Sequence, residues 1–154
     1  MTDILTDEKF MREAILEAEI ARSRDEVPVG AVIVRNKEII ARAFNSREGD
    51  KNALYHAEIK AIDSACRILG GWRLVGCTMY VTLEPCPMCA GAIINSRIER
   101  VVYGAFDEKA GAFGTMINLV NYPLFKPEIC SGILKEECSL LLTDFFRQKR
   151  SLSK

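Results

Sequence analysis

The sequence predicts an α/β domain in which helices cover both faces of a mixed five-stranded β-sheet, a three-layer α/β/α arrangement. Segments with strand character alternate with segments of helical periodicity along the chain. The first two strands are joined by a short turn, so they must run antiparallel. With 154 residues, 49% of them apolar and 27% charged, the chain has the size and composition of one globular domain, predicted to span residues 1–154.

The first predicted elements are a helix and a hairpin. Thr6 is predicted to cap the helix, because its hydroxyl can accept from a free N–H group of the first turn. Apolar residues then recur at helical spacing, at Phe10, Met11, Ala14, Ile15, Ala18 and Ala21. The apolar run 29–34 is followed by Asn36-Lys37 and by apolar residues 39–41, which predicts two short strands joined by a turn.

Two helices and a strand follow the hairpin. A polar loop over residues 46–52 leads into a helix that begins near His56 and ends at Gly70-Gly71, since glycine favours the conformation in which helices end. Residues 78–83 predict the third strand. A proline that fits the first turn of a helix opens the next one, over residues 87–96.

The last third of the chain completes the sheet and adds a final helix. Residues 101–105 predict the fourth strand, and the glycine-rich stretch 104–114 predicts a loop. A short helix over 115–120 and a weak strand around Ile129 come next. A helix over residues 134–150 ends the domain.

The charge balance excludes a protein that attracts nucleic acid through an overall positive field. Lysine and arginine total 21 and are matched by 21 acidic residues. A nucleic-acid partner would therefore meet a local patch, and residues 147–150 (RQKR) are the strongest candidate. The same residues can equally be a solvated helix end with cations near its C-terminal dipole.

The cysteines and the N-terminus indicate a cytoplasmic protein. The N-terminus is acidic and lacks the basic and apolar regions of a signal peptide, and we expect no membrane-spanning segment. In a reducing cytosol, closely spaced cysteines are more often metal-binding or catalytic than disulfide-bonded. The remaining four are predicted to be buried thiols: Cys66, Cys77, Cys130 and Cys138.

The chemistry of the chain is indicated by two short motifs, His56-Ala57-Glu58 and Pro85-Cys86-Pro87-Met88-Cys89, the first of which contains the only histidine. One imidazole and two thiolates are zinc ligands, and three protein ligands leave a fourth position open, as in catalytic sites. We therefore predict one Zn²⁺ per subunit, held by His56, Cys86 and Cys89. Zinc would activate a water molecule, and Glu58 would carry its proton to the substrate in a hydrolytic deamination. Both motif residues reach one ion only if His56 lies at the helix cap.

Two other interpretations of these motifs stay open. Cys-Pro-x-Cys is also the dithiol of thioredoxin-like redox proteins, although that assignment gives His56 and Glu58 no function. A closed structural zinc site is possible if Cys66 or Cys77 supplies a fourth ligand. Either would make the chain a non-catalytic zinc or redox module.

At these motifs the chain resembles the zinc-dependent nucleobase deaminases, and among them the bacterial tRNA adenosine deaminases. The resemblance covers roughly residues 8–150. It extends beyond the zinc motifs to residues 26–31 (EVPVGA), 81–86 (VTLEPC), 89–93 (CAGAI), 96–98 (SRI) and 144–147 (DFFR).

This resemblance implies a cytidine-deaminase-like fold, a homodimer, and conversion of adenosine to inosine at the wobble position of a tRNA anticodon. It also implies that Glu58 is catalytic and that further residues bind the anticodon loop. These substrate-binding residues are Val29, Asn45, Ala57, Asp107, Lys109 and Phe146.

Two departures from the family pattern leave a second substrate class open. Tyr55 precedes the histidine where a small residue is usual, and it could narrow the mouth of the pocket. Residues 124–128 (LFKPE) replace a polar segment associated with RNA. The alternative is therefore a deaminase that acts on a free base or nucleoside of the guanine, adenine or cytosine type.

Overall fold

The computed structural model describes residues 3–152, so positions 1, 2, 153 and 154 of the predicted domain lie outside the described residues. Five strands form one sheet in the order β2-β1-β3-β4-β5. The elements are α1 (Ile4–Ser23), β1 (Gly30–Arg35), β2 (Glu38–Phe44), α2 (Ala57–Leu69), β3 (Cys77–Leu83), α3 (Pro87–Ser96), β4 (Arg100–Ala105), β5 (Glu128–Ser131) and α4 (Lys135–Leu152). No helix within these residues is both long and apolar enough to cross a membrane.

The sheet is mixed, as predicted. Strand β1 runs antiparallel to both β2 and β3, whereas β3, β4 and β5 are parallel to one another. Asn36 and Lys37 form the hairpin turn with φ angles of 52° and 65°, the left-handed values that match the twist of two paired strands.

Helices cover both faces of this sheet, which confirms the predicted three-layer arrangement. Helices α1 and α4 pack on one face, where Met11 and Cys138 meet Val32 and Val102 in one apolar cluster. Helices α2 and α3 pack on the other face, in a larger cluster that includes Ala61 and other buried residues of both helices. Because both faces are buried, strands β1, β3 and β4 consist of nearly continuous buried residues.

Two local predictions are wrong. Helix α1 is capped by Asp3 and not by Thr6, because the Asp3 carboxylate accepts from the Thr6 backbone N–H at 2.7 Å. The helix predicted over 115–120 is only a 3₁₀ turn, Leu119–Asn121. The backbone N–H of Thr115 donates to the carboxylate of Glu84, so the segment finds its hydrogen-bond partner across the loop instead of within a helix.

Candidate active site

The sheet topology brings distant parts of the chain to one edge. Gly30 pairs with Phe44, and Ala31 pairs with Val81, so the start of β1 lies beside the ends of β2 and β3. Leu83 pairs with Ala105, so the end of β4 lies at the same edge. The residues that follow or precede these strands therefore surround one crevice at the carboxyl ends of β3 and β4, where α/β proteins commonly bind ligands.

His56 lies at the cap of α2, which meets the condition set by the sequence. Its backbone is extended, with φ −70° and ψ 154°, and its side chain makes no capping hydrogen bond. Regular helix begins only at Ala57, so the His56 side chain is not forced to the opposite side from Glu58. The histidine and the glutamate consequently line the same cavity.

The two cysteines occupy an equivalent position on α3. Cys86 is the N-cap, with extended backbone, and Cys89 lies in the first turn. The Nδ1 atom of His56 is 3.6 Å from the Cys86 sulfur and 3.5 Å from the Cys89 sulfur. A tetrahedral zinc at ordinary bond lengths separates a nitrogen and a sulfur ligand by about 3.6 Å. The ligand atoms of these three residues form a group able to hold a metal ion, and they match zinc in type and spacing.

Within this group the pKa values of the two thiols are shifted in opposite directions. The hydrogen bond from Cys89 lowers the pKa of Cys86 to about 4, against the opposing effect of burial, and His56 lowers it further. The pKa of Cys89 is raised, because its thiol donates to Cys86 and is buried. The hydrogen bond with Cys86 raises the pKa of His56. A lowered pKa at Cys86 suits a site that binds a cation, because the metal ligand is the thiolate.

Glu58 is a buried carboxyl beside the metal-binding group. Only 3% of the residue is exposed, and burial raises the pKa of Glu58 to about 7, although the nearby His56 opposes this shift. The neighbouring Cys89 thiol also lowers the pKa of Glu58, against the larger effect of burial. The position of Glu58 in the cavity wall places a proton acceptor next to the predicted ligands.

A cavity of about 230 Å³ opens over this group and has room for one base. Three residues predicted to bind substrate, Val29, Asn45 and Ala57, line the cavity. The Asn45 amide nitrogen donates to the Val27 carbonyl at 3.1 Å, whereas its buried Oδ1 atom has no hydrogen-bond partner among residues 3–152. The other lining residues are Val27, Arg47, His56, Glu58, Leu83, Glu84, Cys86, Asp107 and Ala110.

The remaining predicted substrate contacts differ in placement. Asp107 lines the cavity, and its carboxylate accepts from the backbone N–H groups of Lys109 and Ala110 at 3.0 and 3.1 Å. Lys109 is exposed on the same loop and is not part of the lining. Phe146 is 43% exposed and packs edge-on against Phe145.

Both departures from the family pattern lie away from the described cavity lining. Tyr55 is half-buried, and the Lys60 ammonium is 6.0 Å from the centre of its ring. Tyr55 is not among the described residues that line the cavity. Within residues 124–128, Phe125 packs against the apolar cluster on the α2 and α3 side.

A second and larger cavity, of about 570 Å³, adjoins the first and was not predicted. The two share Val27, Asn45 and Arg47 in their walls. The larger one is lined by three cations, Arg24, Arg47 and Lys149, by the ring of Phe145, and by three acidic residues, Asp25, Glu26 and Glu48. Arg47 could have been suspected, because it is two residues after Asn45 in the same loop. Arg24 and Phe145 have no local sequence pattern that would indicate the cavity.

A closed structural zinc site is not supported by this geometry. The metal-binding group found among residues 3–152 contains neither Cys66 nor Cys77. The sulfur of Cys66 faces the Trp72 carbonyl at 3.9 Å, and the sulfur of Cys77 faces the Val75 carbonyl at 3.8 Å. All six cysteines are free, and Cys77 and Cys138 are buried as predicted, whereas Cys66 and Cys130 are half-buried.

Fold and site together define the class, a zinc-dependent enzyme built on a three-layer α/β/α sandwich. The family follows from comparison with known proteins. The family model described as the cytidine and deoxycytidylate deaminase zinc-binding region matches residues 5–105, and the chain belongs to this family of zinc-dependent deaminases.

Individual relatives narrow the comparison. The chain is 55% identical over 150 residues to the tRNA-specific adenosine deaminase of Bacillus subtilis (strain 168), covering 96% of this chain and 93% of the relative. The solved structure of a tRNA:A34 deaminase, from a study of A-to-I editing at the wobble position, superposes with a TM-score of 0.84 at 43% identity, over 87% of this chain and 99% of that one. Guanine deaminase from Bacillus subtilis superposes with a TM-score of 0.62 at 32% identity, over 71% and 81% of the two chains.

Proposed function

We propose that the chain hydrolyses the wobble adenosine of a tRNA anticodon to inosine and ammonia. The observation that carries this proposal is the 55% identity, over 96% of the chain, to a tRNA-specific adenosine deaminase. The likeness to a tRNA:A34 deaminase structure also supports it. The two adjoining cavities support it as well, because one has room for a base and the other offers cations beside it.

The chemical step is assigned to the residues around the metal-binding group. Zinc held by His56, Cys86 and Cys89 would supply electrostatic activation of a water molecule for attack on the ring carbon. Glu58 takes one proton from that water and delivers it to the ring nitrogen, where it stays in inosine. Glu58 then carries the second proton, from the hydroxyl group newly bonded to the ring carbon, to the amino group, which leaves as ammonia. The buried position of Glu58 next to Cys89 supports this assignment, because it keeps the carboxyl at the metal side of the cavity.

The base is held by residues of the small cavity. Asn45 hydrogen-bonds the purine, and its unpartnered Oδ1 atom offers an acceptor for a donor of the base. The backbone N–H of Ala57 is the first of α2 and has no acceptor within the helix, so it is free to bind the substrate. Val29 packs against the base, and Asp107 meets the nucleotide next to it.

The larger cavity receives the neighbouring part of the anticodon loop. Arg24, Arg47 and Lys149 pair with phosphates, and the exposed ring of Phe146 stacks on an unpaired base. Lys109, which lies on the loop after β4, contacts a flanking nucleotide. Lys149 is paired with Asp25 at 2.5 Å, so a phosphate must compete with this exposed ion pair, which is weak in water.

We also propose a cytoplasmic homodimer. Six free cysteines suit a reducing compartment, in which tRNA is also found. The Arg97 guanidinium is 5.5 Å from the centre of the half-exposed Trp72 ring and 5.9 Å from the centre of the partly buried Phe125 ring. Exposed aromatic rings and arginines are enriched in protein interfaces, so this region supports the proposed dimer.

The decisive experiment compares substrates. The zinc-loaded protein is incubated with an anticodon stem-loop that carries a wobble adenosine, and separately with free adenosine, guanine and cytosine. We expect inosine and ammonia from the stem-loop only. Activity on a free base or nucleoside with an unmodified stem-loop would reject the proposal and favour the small-molecule alternative, to which the likeness to guanine deaminase points.

Removal of the cavity cations should weaken binding to RNA and reduce its dependence on salt. In Arg47→Ala and Lys149→Ala, the slope of log K against log[salt] is expected to fall by about 0.7 for each single-strand phosphate that the protein no longer neutralises. Binding is measured with the stem-loop at several salt concentrations. Lys9→Ala removes an exposed cation above Phe10, outside both cavity linings, and serves as the matched control. If the slope is unchanged in both cavity variants, the assignment of phosphate contacts to the larger cavity is wrong.

A further inference from the structure

We propose that Glu84 is a positioning residue, whose carboxylate fixes the loop that forms one wall of the active-site cavity. This inference rests on the proposed deamination of RNA and concerns the same site. The loop in question, residues 106–115, follows β4 and carries Asp107 and Ala110, both of which line the cavity beside Glu58.

The side chain of Glu84 is almost entirely buried, with 1% of the residue exposed. Its Oε1 atom accepts from the Asp107 backbone N–H at 3.2 Å and from the Thr115 hydroxyl. Its Oε2 atom accepts from the backbone N–H groups of Phe113 and Thr115, both at 3.1 Å. All four donors belong to the 106–115 loop, so one carboxylate ties together its beginning and its end.

These contacts replace the hydrogen bonds that regular structure would have given the loop. Buried backbone N–H groups need acceptors, and a buried carboxylate is costly unless donors surround it. Here the backbone N–H groups of the loop obtain an acceptor, and the buried Glu84 carboxylate obtains its donors. Because hydrogen bonds to a charged acceptor are stronger than neutral ones, four of them hold the loop more firmly than water could.

The packing around Gly111 indicates how closely the loop surrounds this carboxylate. A Cβ atom added at Gly111 would lie 2.5 Å from the Glu84 carboxyl carbon and 2.6 Å from the Asp107 carbonyl oxygen. The next residue, Ala112, donates its backbone N–H to the Pro85 carbonyl at 2.9 Å. The loop is therefore joined directly to the segment that leads into Cys86.

The consequence concerns the substrate more than the metal. Glu84 does not belong to the metal-binding group. It lines the cavity together with Asp107 and Ala110 of the loop it fixes, and His56, Glu58 and Cys86 line the same cavity. If this wall moves, Asp107 no longer meets the nucleotide in a defined position, whereas His56 at the cap of α2 and Glu58 in its first turn keep theirs. Loss of the Glu84 carboxylate should thus weaken productive binding of the RNA and leave the chemical step largely intact.

The test replaces Glu84 with glutamine, whose NH₂ group would face backbone donors in place of one acceptor oxygen. We expect KM for the anticodon stem-loop to rise on the order of tenfold, with kcat and zinc content near those of the unmodified protein. Hydrogen exchange at the amides of residues 107, 113 and 115 should become faster. A carboxylate that only stabilised the fold would lower Tm and the active fraction without changing KM, and that result would overturn the inference.

Variants of Thr115 keep the test decisive if Glu84→Gln does not fold. Thr115→Val removes only the hydroxyl bond to Glu84 and should raise KM in the same direction by a smaller factor, whereas Thr115→Ser restores the hydroxyl and the ordinary KM. Thr143→Val is the matched control, since that hydroxyl bonds to the Ser139 carbonyl within α4. An unmodified protein that is inactive on the stem-loop would reject the proposed function, while the exchange rates would still decide whether Glu84 holds the loop.

Discussion

Replacing Glu58 with glutamine is expected to lower kcat by about 10²–10⁴-fold, the usual contribution of a general acid–base group. Glutamine keeps the shape of the side chain but cannot accept the proton of the attacking water. The binding of zinc and of the anticodon stem-loop should be unchanged, because His56, Cys86 and Cys89 remain. Inosine formation under single-turnover conditions measures the loss, and the zinc content of the same sample verifies that the metal site is intact.

Glu17→Gln is the matched control for this experiment. Glu17 is also a buried glutamate, with 6% of the residue exposed, but it lies on α1 and its partner is Arg42 at 3.7 Å. Its amide variant should turn over stem-loop as fast as the unmodified protein. If Glu58→Gln retained most of the activity, with zinc bound, proton transfer would have to be assigned to another group.

The fold could be predicted from the sequence wherever a pattern is local. The periodicity of α1, the turn at Asn36-Lys37 and the proline at the start of α3 each depend on residues close together in the chain, and all three predictions are confirmed. The predictions of the N-cap of α1 and of a helix over 115–120 are wrong, because the backbone N–H groups of Thr6 and Thr115 donate to the side chains of Asp3 and Glu84. For the second, the partner is Glu84, which no local pattern relates to that segment.

Long-range polar contacts are the part of the fold that no local pattern predicts. Asp7 is buried at the start of α1, where it accepts two hydrogen bonds from Arg100, both 2.8 Å long, and one from the Tyr80 hydroxyl, also 2.8 Å. Asp7 belongs to α1, Tyr80 to β3 and Arg100 to β4. In the sequence, Asp7 resembles an ordinary acidic residue of a first helical turn, and only the folded chain brings it to Arg100.

The site divides in the same way. His56, Cys86 and Cys89 could be predicted because their residue types and short spacings have few uses other than holding a metal, and the structure brings their ligand atoms together. Arg24 and Arg47 were missed, since single arginines in loops have no such specificity. The roles of Asn45, Asp107, Lys109 and Phe146 toward RNA, like the single domain and the dimer, stay predictions.

Replacement of Cys86 with alanine is expected to abolish zinc binding and to lower Tm. Metal ligation and folding are coupled, since a site assembled only in the folded chain adds its binding free energy to stability. Two protein ligands would hold the metal poorly, and one of the two sulfur ligands would be gone. Zinc content and thermal unfolding with and without a chelator measure both effects. The chelator should lower Tm of the unmodified protein and leave that of Cys86→Ala unchanged.

Cys66→Ala is the control that separates a metal ligand from an ordinary thiol. Cys66 is half-buried, and its sulfur faces a carbonyl instead of the metal-binding group, so its variant should keep zinc and activity. Alkylation tests the redox alternative in the same samples: bound zinc should protect Cys86 and Cys89 from a thiol reagent, and a chelator should remove that protection. A protein purified without zinc, whose two cysteines cycle between dithiol and disulfide while Cys86→Ala keeps the same Tm, would instead be a redox module. The spacing of the two sulfurs around a single imidazole nitrogen favours the metal, because separations of 3.5 and 3.6 Å match those between the ligands of a tetrahedral zinc.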